Sequence, residues 1–320
     1  MHVRLIAAAT LPAVSGAAIY NRTIADNLRA LGHTVDLTTD TAAAPAGIVM
    51  LVDGSALPAM SLADLPGAVA LVHHPLSLEN SPPDLTMKRR ETELFAAVRH
   101  IVTTSQQTAD RLVADFAVPA ETITPIVPGL DALPRCPGTG GPTCQILCLA
   151  QLIPRKGQDV LLRALSRLFD LDWHLTIAGG ENDPVYANGL RALAEELNIA
   201  RHVTFHPEAT GEALEALWRN TDLFALTSHY EGYGMVWAEA LRRGLPVVAT
   251  NTGAVPTLIG PNAGVVCAPG DVEQLSRALR RLIFDPALRR DMAEEAWQAG
   301  QALPSWRDQA EKLAAALVPA

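Results

Sequence analysis

The sequence lacks any uninterrupted apolar run of about 18 residues, has no C-x-x-C pair, and carries no excess of basic residues. Each lack removes a class of protein. A membrane-spanning helix needs about 20 predominantly apolar residues. The opening MHVRLIAAAT is apolar, but it soon meets Pro12 and has no basic leader, so neither a span nor an export signal is expected. The four cysteines, Cys136, Cys144, Cys148 and Cys267, offer one spacing of four residues with no companion pair to complete a zinc site, and they read as reduced thiols. A net charge of −9 and a pI near 5.5 argue against nucleic acid as the main partner, because that affinity depends on neutralising phosphates. No Asp-x-Asp cluster suggests a divalent ion, and metal independence is expected. What remains, with 49% hydrophobic and 18% charged residues, is an ordinary folded chain expected to be soluble and cytoplasmic.

A chain of 320 residues exceeds the usual size of one domain, and two domains are expected. The opening strand HVRLIAAAT, a helix ending near Gly32, and a second strand make a βαβ unit. Further short apolar runs, GIVMLVDG, AVALVHH and HIVTTS, are separated by helical stretches such as MKRRETELFAAVRH. Between Pro128 and Cys144 the stretch PGLDALPRCPGTGGPTC holds four prolines and four glycines, which can sustain neither helix nor strand. A second alternation follows: strands at QILCLAQL, HLTIAGG, HVTFHP, DLFALTS and LPVVAT, with helices over DVLLRALSRLF, YANGLRALAEEL, GEALEALWRN and MVWAEALRR. A helix over SWRDQAEKLAAALV follows Pro304. The expected organisation is therefore a domain over 1–130, a linker over 131–144, a second domain over 145–303 and a terminal helix over 304–320. The fold class is α/β, two Rossmann-like doubly wound domains facing a central cleft. Ligands of open α/β sheets bind at the carboxyl ends of the strands, so the motifs should gather there.

The most informative stretch is EGYGMVWAEALRRGLP, Glu231 to Pro246. The turn-like EGYG delays the helix until Gly234, and Gly244 with Pro246 stops it. The free N–H groups of Gly234, Met235 and Val236 make an anion site, reinforced by the helix dipole. Glu239 lies about 6 Å further along the same helix. Two carboxylates beside an anion site suit the hydroxyls of a ribose or a hexose rather than phosphate itself. In isolation, Glu231 and Glu239 equally fit a surface loop and a solvated helix, and it is the flanking pattern that separates the two. Ser15, Gly16, Ala17 and Ala18 form a small-residue turn before a helix, suited to backbone contact with a phosphate or acceptor. His73 and His74 end the strand AVALV, where a neutral imidazole can hydrogen-bond a sugar or an acceptor hydroxyl. The stretch 75–95, with Pro82, Pro83, Lys88, Arg89 and Arg90, is a candidate for acceptor contact and equally fits a solvated helix.

E-G-Y-G-M-V-W-A-E-A-L-R-R-G-L-P-V-V-A resembles the signature of the retaining GT-B glycosyltransferases of family 4. AQLIPRKGQDVLLRAL resembles that family's first C-domain strand and phosphate-binding loop, and SWRDQAEKL the helix that crosses back to the N-domain. The resemblance implies a retaining, metal-independent hexosyl transfer from a nucleotide-diphosphate sugar to a hydroxyl acceptor, with no cofactor. It implies that Glu231 contacts sugar hydroxyls, Glu239 the ribose, Lys156 and Arg155 the diphosphate, and one of His73 and His74 the reacting sugar. Two departures stand out. The family often has Arg where this chain has Gln151, and two glycines where it has only Gly16. Trp306 is expected to anchor the returning helix.

A sugar-nucleotide epimerase of the same architecture, a phosphorylase, and a non-catalytic nucleotide-sugar-binding module are the competing classes. The acceptor, whether lipid, saccharide or small aglycone, has no readable code. The first domain through Glu121 has 8 basic against 12 acidic residues, so only the run at residues 88–90 points to weak peripheral association with a bilayer.

Overall fold

The computed structural model describes residues 1–79 and 82–318. The chain forms two compact units, Met1–Asp131 with Pro304–Ala320, and Ala132–Leu303.

The first unit is built on a six-stranded parallel sheet: β1 (His2–Ile6), β2 (Thr34–Thr38), β3 (Ile48–Asp53), β4 (Val69–Val72), β5 (His100–Thr103) and β6 (Ile123–Pro125), ordered β2-β1-β3-β4-β5-β6. Val, Ile and Leu dominate these strands, and β4 is buried at every position, as a sheet covered on both faces requires. Pro125 lies on the edge strand, where a missing N–H breaks no ladder. The helices are α1 (Gly16–Ala30), α2 (Leu85–Ala97) and α3 (Gln106–Phe116). The expected turn over Ser15 to Ala18 is instead the start of α1. Ser15 is its N-cap, with Oγ accepting from the Ala18 N–H at 3.2 Å, so Gly16 is already helical. The last helix of the chain, Trp306–Leu317, belongs to this unit and opens with a capping box between Ser305 and Asp308. Trp306 is buried and packs edge-on against Tyr20 of α1 at 5.3 Å, and the Leu130 N–H donates to the Pro304 carbonyl at 2.9 Å.

The second unit repeats the plan with β7 (Cys144–Leu149), β8 (Trp173–Ala178), β9 (Val203–His206), β10 (Leu223–Ala225), β11 (Val247–Thr250) and β12 (Gly264–Cys267), ordered β12-β11-β10-β7-β8-β9 and all parallel. Its helices are α4 (Gln158–Leu165), α5 (Pro184–Glu196), α6 (Gly211–Arg219), α7 (Met235–Arg242), α8 (Val255–Ile259), α9 (Val272–Phe284) and α10 (Pro286–Gln301). Trp173, Trp218 and Trp237 are among its largest fully buried side chains. The expected linker has no regular structure, and from Ala132 onward it is tied to this unit. The Cys136 N–H donates to the Arg243 carbonyl at 2.8 Å, and Thr139 donates through N and Oγ1 to Asp222 at 2.6 and 2.8 Å. A Pro- and Gly-rich segment that cannot join a ladder thus finds its partners in a carboxylate and a helix-end carbonyl.

The order in which strands are added reverses beside the first strand of each sheet. In the first unit β2 lies on one side of β1 and β3 on the other; in the second, β8 and β9 lie on one side of β7 and β10 to β12 on the other. The carboxyl ends of β1 and β3, and of β7 and β10, are therefore the topological switch points where open α/β sheets take ligands.

Candidate functional site

Lys156 and Glu231 come from the two loops that flank the switch point of the second sheet. Lys156 ends a short 3-10 turn, Pro154–Lys156, in the loop after β7, and Glu231 lies in the irregular segment after β10. Gly157 closes the first loop with φ 63°, and a Cβ there would sit 2.3 Å from the Thr227 carbonyl oxygen, so the two loops touch backbone to backbone only because this residue is glycine. Thr227 Oγ1 donates to the Gly157 carbonyl at 2.6 Å and Thr250 Oγ1 to the Ser228 carbonyl at 2.5 Å, which fixes the loop that carries Glu231.

The two groups expected to hold different parts of a donor are each other's partner. Lys156 Nζ lies 2.5 Å from Glu231 Oε1, Ser228 Oγ donates to the same oxygen at 2.8 Å, and Arg155 Nη1 approaches Oε2 at 4.0 Å while donating to the Tyr230 carbonyl at 3.0 Å. The side chains are 14% exposed at Lys156, 15% at Arg155 and 7% at Glu231. Groups this buried must be neutralised by one another. Burial would raise the Glu231 carboxyl, but the Lys156 and Arg155 charges outweigh it and hold it below the usual carboxylate range. Burial pulls the Lys156 ammonium down while Glu231 holds it up.

Three residues on, Gly234 stands as the N-cap of α7 with φ 86° and no side-chain cap, leaving the amides of Gly234, Met235 and Val236 half-buried at the helix start. A Cβ on Gly234 would meet Trp237 Cδ1 at 2.4 Å. Glu239 does not join the Glu231 cluster. Its charged neighbours are Arg243, one turn on, and Glu215 of α6, which itself chelates Arg243 at 2.9 and 2.5 Å. Burial, opposed by Arg243 and reinforced by Glu215, pushes the Glu239 carboxyl up to about 7. Gln151, at the position where an Arg was the alternative, accepts from Gln158 Nε2 through its carbonyl at 2.9 Å, and its own buried amide nitrogen has no partner. The sequence also contains one Asp-x-Asp, Asp170 to Asp172, before β8 and thus at the opposite end of the strands. Asp170 is chelated by Arg280 at 2.7 Å on both oxygens and Asp172 accepts from Thr143 at 2.8 Å.

In the first unit the structure separates the two histidines. His73 Nε2 lies 3.0 Å from Asp53 Oδ2 and 3.3 Å from Asn21 Oδ1, and His74 Nε2 lies 2.9 Å from Glu79 Oε1. Ser15 is engaged in capping α1. Lys88 and Arg89 stand on α2, where Lys88 covers the Phe116 ring at 5.4 Å, Arg89 is exposed, and Arg90 donates to the Met60 carbonyl at 3.1 Å. Asn80 and Ser81, within the candidate stretch 75–95, lie outside the described residues. Buried Glu91 on the same helix accepts from the Leu76 and Ser77 N–H groups at 2.5 and 3.1 Å, tying α2 to the segment after His74.

The model of the family described as glycosyl transferases group 1 matches residues 140–299, half of the chain, including every donor-side residue named above in the second unit. The chain belongs to this family. Among its relatives, the GDP-mannose-dependent alpha-(1-6)-phosphatidylinositol monomannoside mannosyltransferase of Mycolicibacterium smegmatis is 35% identical over 174 residues, 51% of this chain and 44% of that protein. The D-inositol 3-phosphate glycosyltransferase of Corynebacterium jeikeium is 34% identical over 238 residues, 67% and 55% of the two chains. The chain thus spans about half the length of the curated relatives it matches. The sucrose-phosphate synthase structure from Thermosynechococcus elongatus superposes with a TM-score of 0.84 at 19% identity, covering 98% of this chain and 97% of that one, which together with the two parallel sheets shows the GT-B fold.

For this family member, sequence patterns marked Lys156, Arg155 and Glu231 but passed over Ser228, Asn21 and Asp53. Ser228 ends the run DLFALTS, and Asn21 lies within a helix. The signal for Asp53 is a carboxylate ending an apolar strand, followed by Gly54 and Ser55, with Asp53 Oδ1 accepting from the Ser55 N–H at 2.8 Å.

Proposed function

We propose that the protein is a retaining glycosyltransferase that moves a hexosyl group from a nucleotide-diphosphate sugar to a hydroxyl acceptor. The single observation that carries this is the Lys156–Glu231 pair at the switch point of the second sheet, three residues before the uncapped start of α7. A diphosphate arriving there would take its charge balance from Lys156, Arg155 and the α7 amides, which stabilise the negative charge that builds as the glycosidic bond breaks. Glu231, released from Lys156 by the phosphate, would accept hydrogen bonds from the hexose hydroxyls, and Glu239 would accept from the ribose. These groups supply the stabilisation without a metal or a further cofactor. In a front-face displacement the departing phosphate takes the proton of the acceptor hydroxyl, and the anomeric configuration is kept.

The relatives' names make a GDP-linked mannose the first donor to try and inositol-containing acceptors, lipid-linked or soluble, the first acceptors. No described helix is long and apolar enough to cross a membrane, and weak peripheral association from the cytoplasmic side would bring the enzyme to a lipid-linked acceptor. A thermal-shift panel of nucleoside diphosphates tests the donor site. One or more should raise the melting temperature of the wild type and lose most of that effect in Lys156→Ala; equal stabilisation of both proteins would remove the basis of the proposal. Analysis of the product's anomeric configuration tests retention, and an inverted product would refute it.

A further inference from the structure

His73 is held from behind. Asp53, at the carboxyl end of β3 beside the switch point of the first sheet, is 0% exposed, and its two oxygens are fully engaged. Oδ1 accepts from the N–H and, in a short contact, the Oγ of Ser55; Oδ2 accepts from Asn21 Nδ2 at 2.6 Å and faces His73 Nε2 at 3.0 Å. Because Asn21 uses its amide nitrogen toward Asp53, the atom it offers His73 at 3.3 Å is the carbonyl Oδ1, another acceptor. Two acceptors converging on Nε2 require that nitrogen to carry the proton. Both Asp53 oxygens are already met by donors other than the ring, the Ser55 N–H and Oγ at Oδ1 and the Asn21 Nδ2 at Oδ2, so the carboxyl group acts here as an acceptor and does not supply the proton itself. The rest of the residue is fixed as well. Tyr20 packs edge-on to the ring at 5.2 Å, and the His73 carbonyl accepts from Thr104 Oγ1 at 3.2 Å. Nδ1 makes no hydrogen bond among the described residues, and the side chain is 14% exposed.

We infer that Asp53 and Asn21 are positioning residues that lock His73 in the Nε2–H tautomer, so that Nδ1 is presented as a hydrogen-bond acceptor to a substrate hydroxyl. This rests on the glycosyl-transfer function proposed above for the role of the ring, but not for its tautomer. Since Asp53 has no acceptor capacity left for a ligand, it acts through the imidazole, as an outer-shell carboxylate does for a histidine ligand. His74 instead faces Glu79, whose side chain is 46% exposed, at 2.9 Å.

The test uses the full chain with nitrogen-15-labelled histidine, read by NMR at about pH 8, above the usual imidazole range. In the wild type the two nitrogens of His73 should show the widely separated shifts of a single Nε2–H tautomer. In Asp53→Asn, and in Asn21→Ala should the first variant not fold, they should move toward the averaged shifts of a free imidazole. Averaged shifts in the wild type, or unchanged shifts in a folded variant, would overturn the inference. Where a donor and acceptor support turnover, Asp53→Asn should lower kcat about tenfold to a hundredfold with the donor KM kept, and should add nothing in a His73→Ala background. A further loss in that background would show Asp53 acting otherwise. If no transfer is found with any donor, the function proposed above fails while the NMR result still decides the tautomer.

Discussion

The ammonium of Lys156 and the carboxylate of Glu231 meet at 2.5 Å with little solvent around either. Deleting one member strands a buried charge, whereas replacing both with apolar groups does not. Lys156→Met is accordingly expected to lower the unfolding free energy by about 3 kcal/mol, and Lys156→Met with Glu231→Leu to recover most of that. Urea denaturation of the wild type, the two single variants and the double variant checks this, and strictly additive losses would contradict it. Glu239 has the opposite signature. Its folded carboxyl titrates near 7 against an ordinary 4.5, so as pH rises the unfolded chain ionises first. Its contribution falls from about pH 4.5 to about pH 7 and is constant above that. Glu239→Gln should flatten stability across this window and gain about 1–3 kcal/mol at pH 8 relative to the wild type, measured by denaturation at pH 5 and pH 8. Of these groups, Glu231 was legible from its place before the glycine-led start of α7, and Lys156 from the family resemblance of its loop. Their mutual pairing was not, because no linear pattern reports which side chains meet 75 residues apart.

The α7 helix is the element most fully written in the sequence. The glycines at 234 and 244 bracket it, and Met235–Arg242 falls inside the expected span. Its start depends on one backbone angle. In Gly234→Ala the Cβ would meet the Trp237 ring and hold φ 86° against its preference, so a loss of about 1–3 kcal/mol is expected together with weaker nucleoside diphosphate binding. A thermal melt and a ligand titration of the same variant check both, and unchanged values would show the loop tolerates a side chain. Other elements were less legible. DLFALTS reads as a seven-residue strand, yet the strand runs only over Leu223–Ala225; beyond it the Thr227 hydroxyl donates to the Gly157 carbonyl and the Ser228 carbonyl accepts from the Thr250 hydroxyl of β11. The expected helix over DVLLRALSRLF stops at Leu165, and the Leu168 carbonyl beyond it accepts from Trp173 Nε1 at 3.0 Å. The alternation also continues past LPVVAT with β12, α9 and α10. The apolar stripe and Asp271 N-cap of α9 are plain in the sequence, whereas β12, although bracketed by Gly260, Pro261 and Asn262 before it and Pro269 and Gly270 after it, is only four residues long.

Across the whole molecule the βαβ alternation made both sheets and the parallel class legible, since buried parallel strands leave short apolar runs between amphipathic helices. The networks behind the sites were not, being assembled from strand ends that only the sheet order brings together. The first unit is also discontinuous, because the helix Trp306–Leu317 packs on its α1. A chain ending at Leu303 is expected to lose hydrogen-exchange protection throughout β1 to β6 while β7 to β12 keep theirs; full protection of the first sheet would show that the helix is dispensable. On the ribosome, residues 1–131 must therefore wait for residues 306–317 to emerge. Until then the Tyr20 face of α1 stays uncovered, a stretch of synthesis in which a holding chaperone has something to grip.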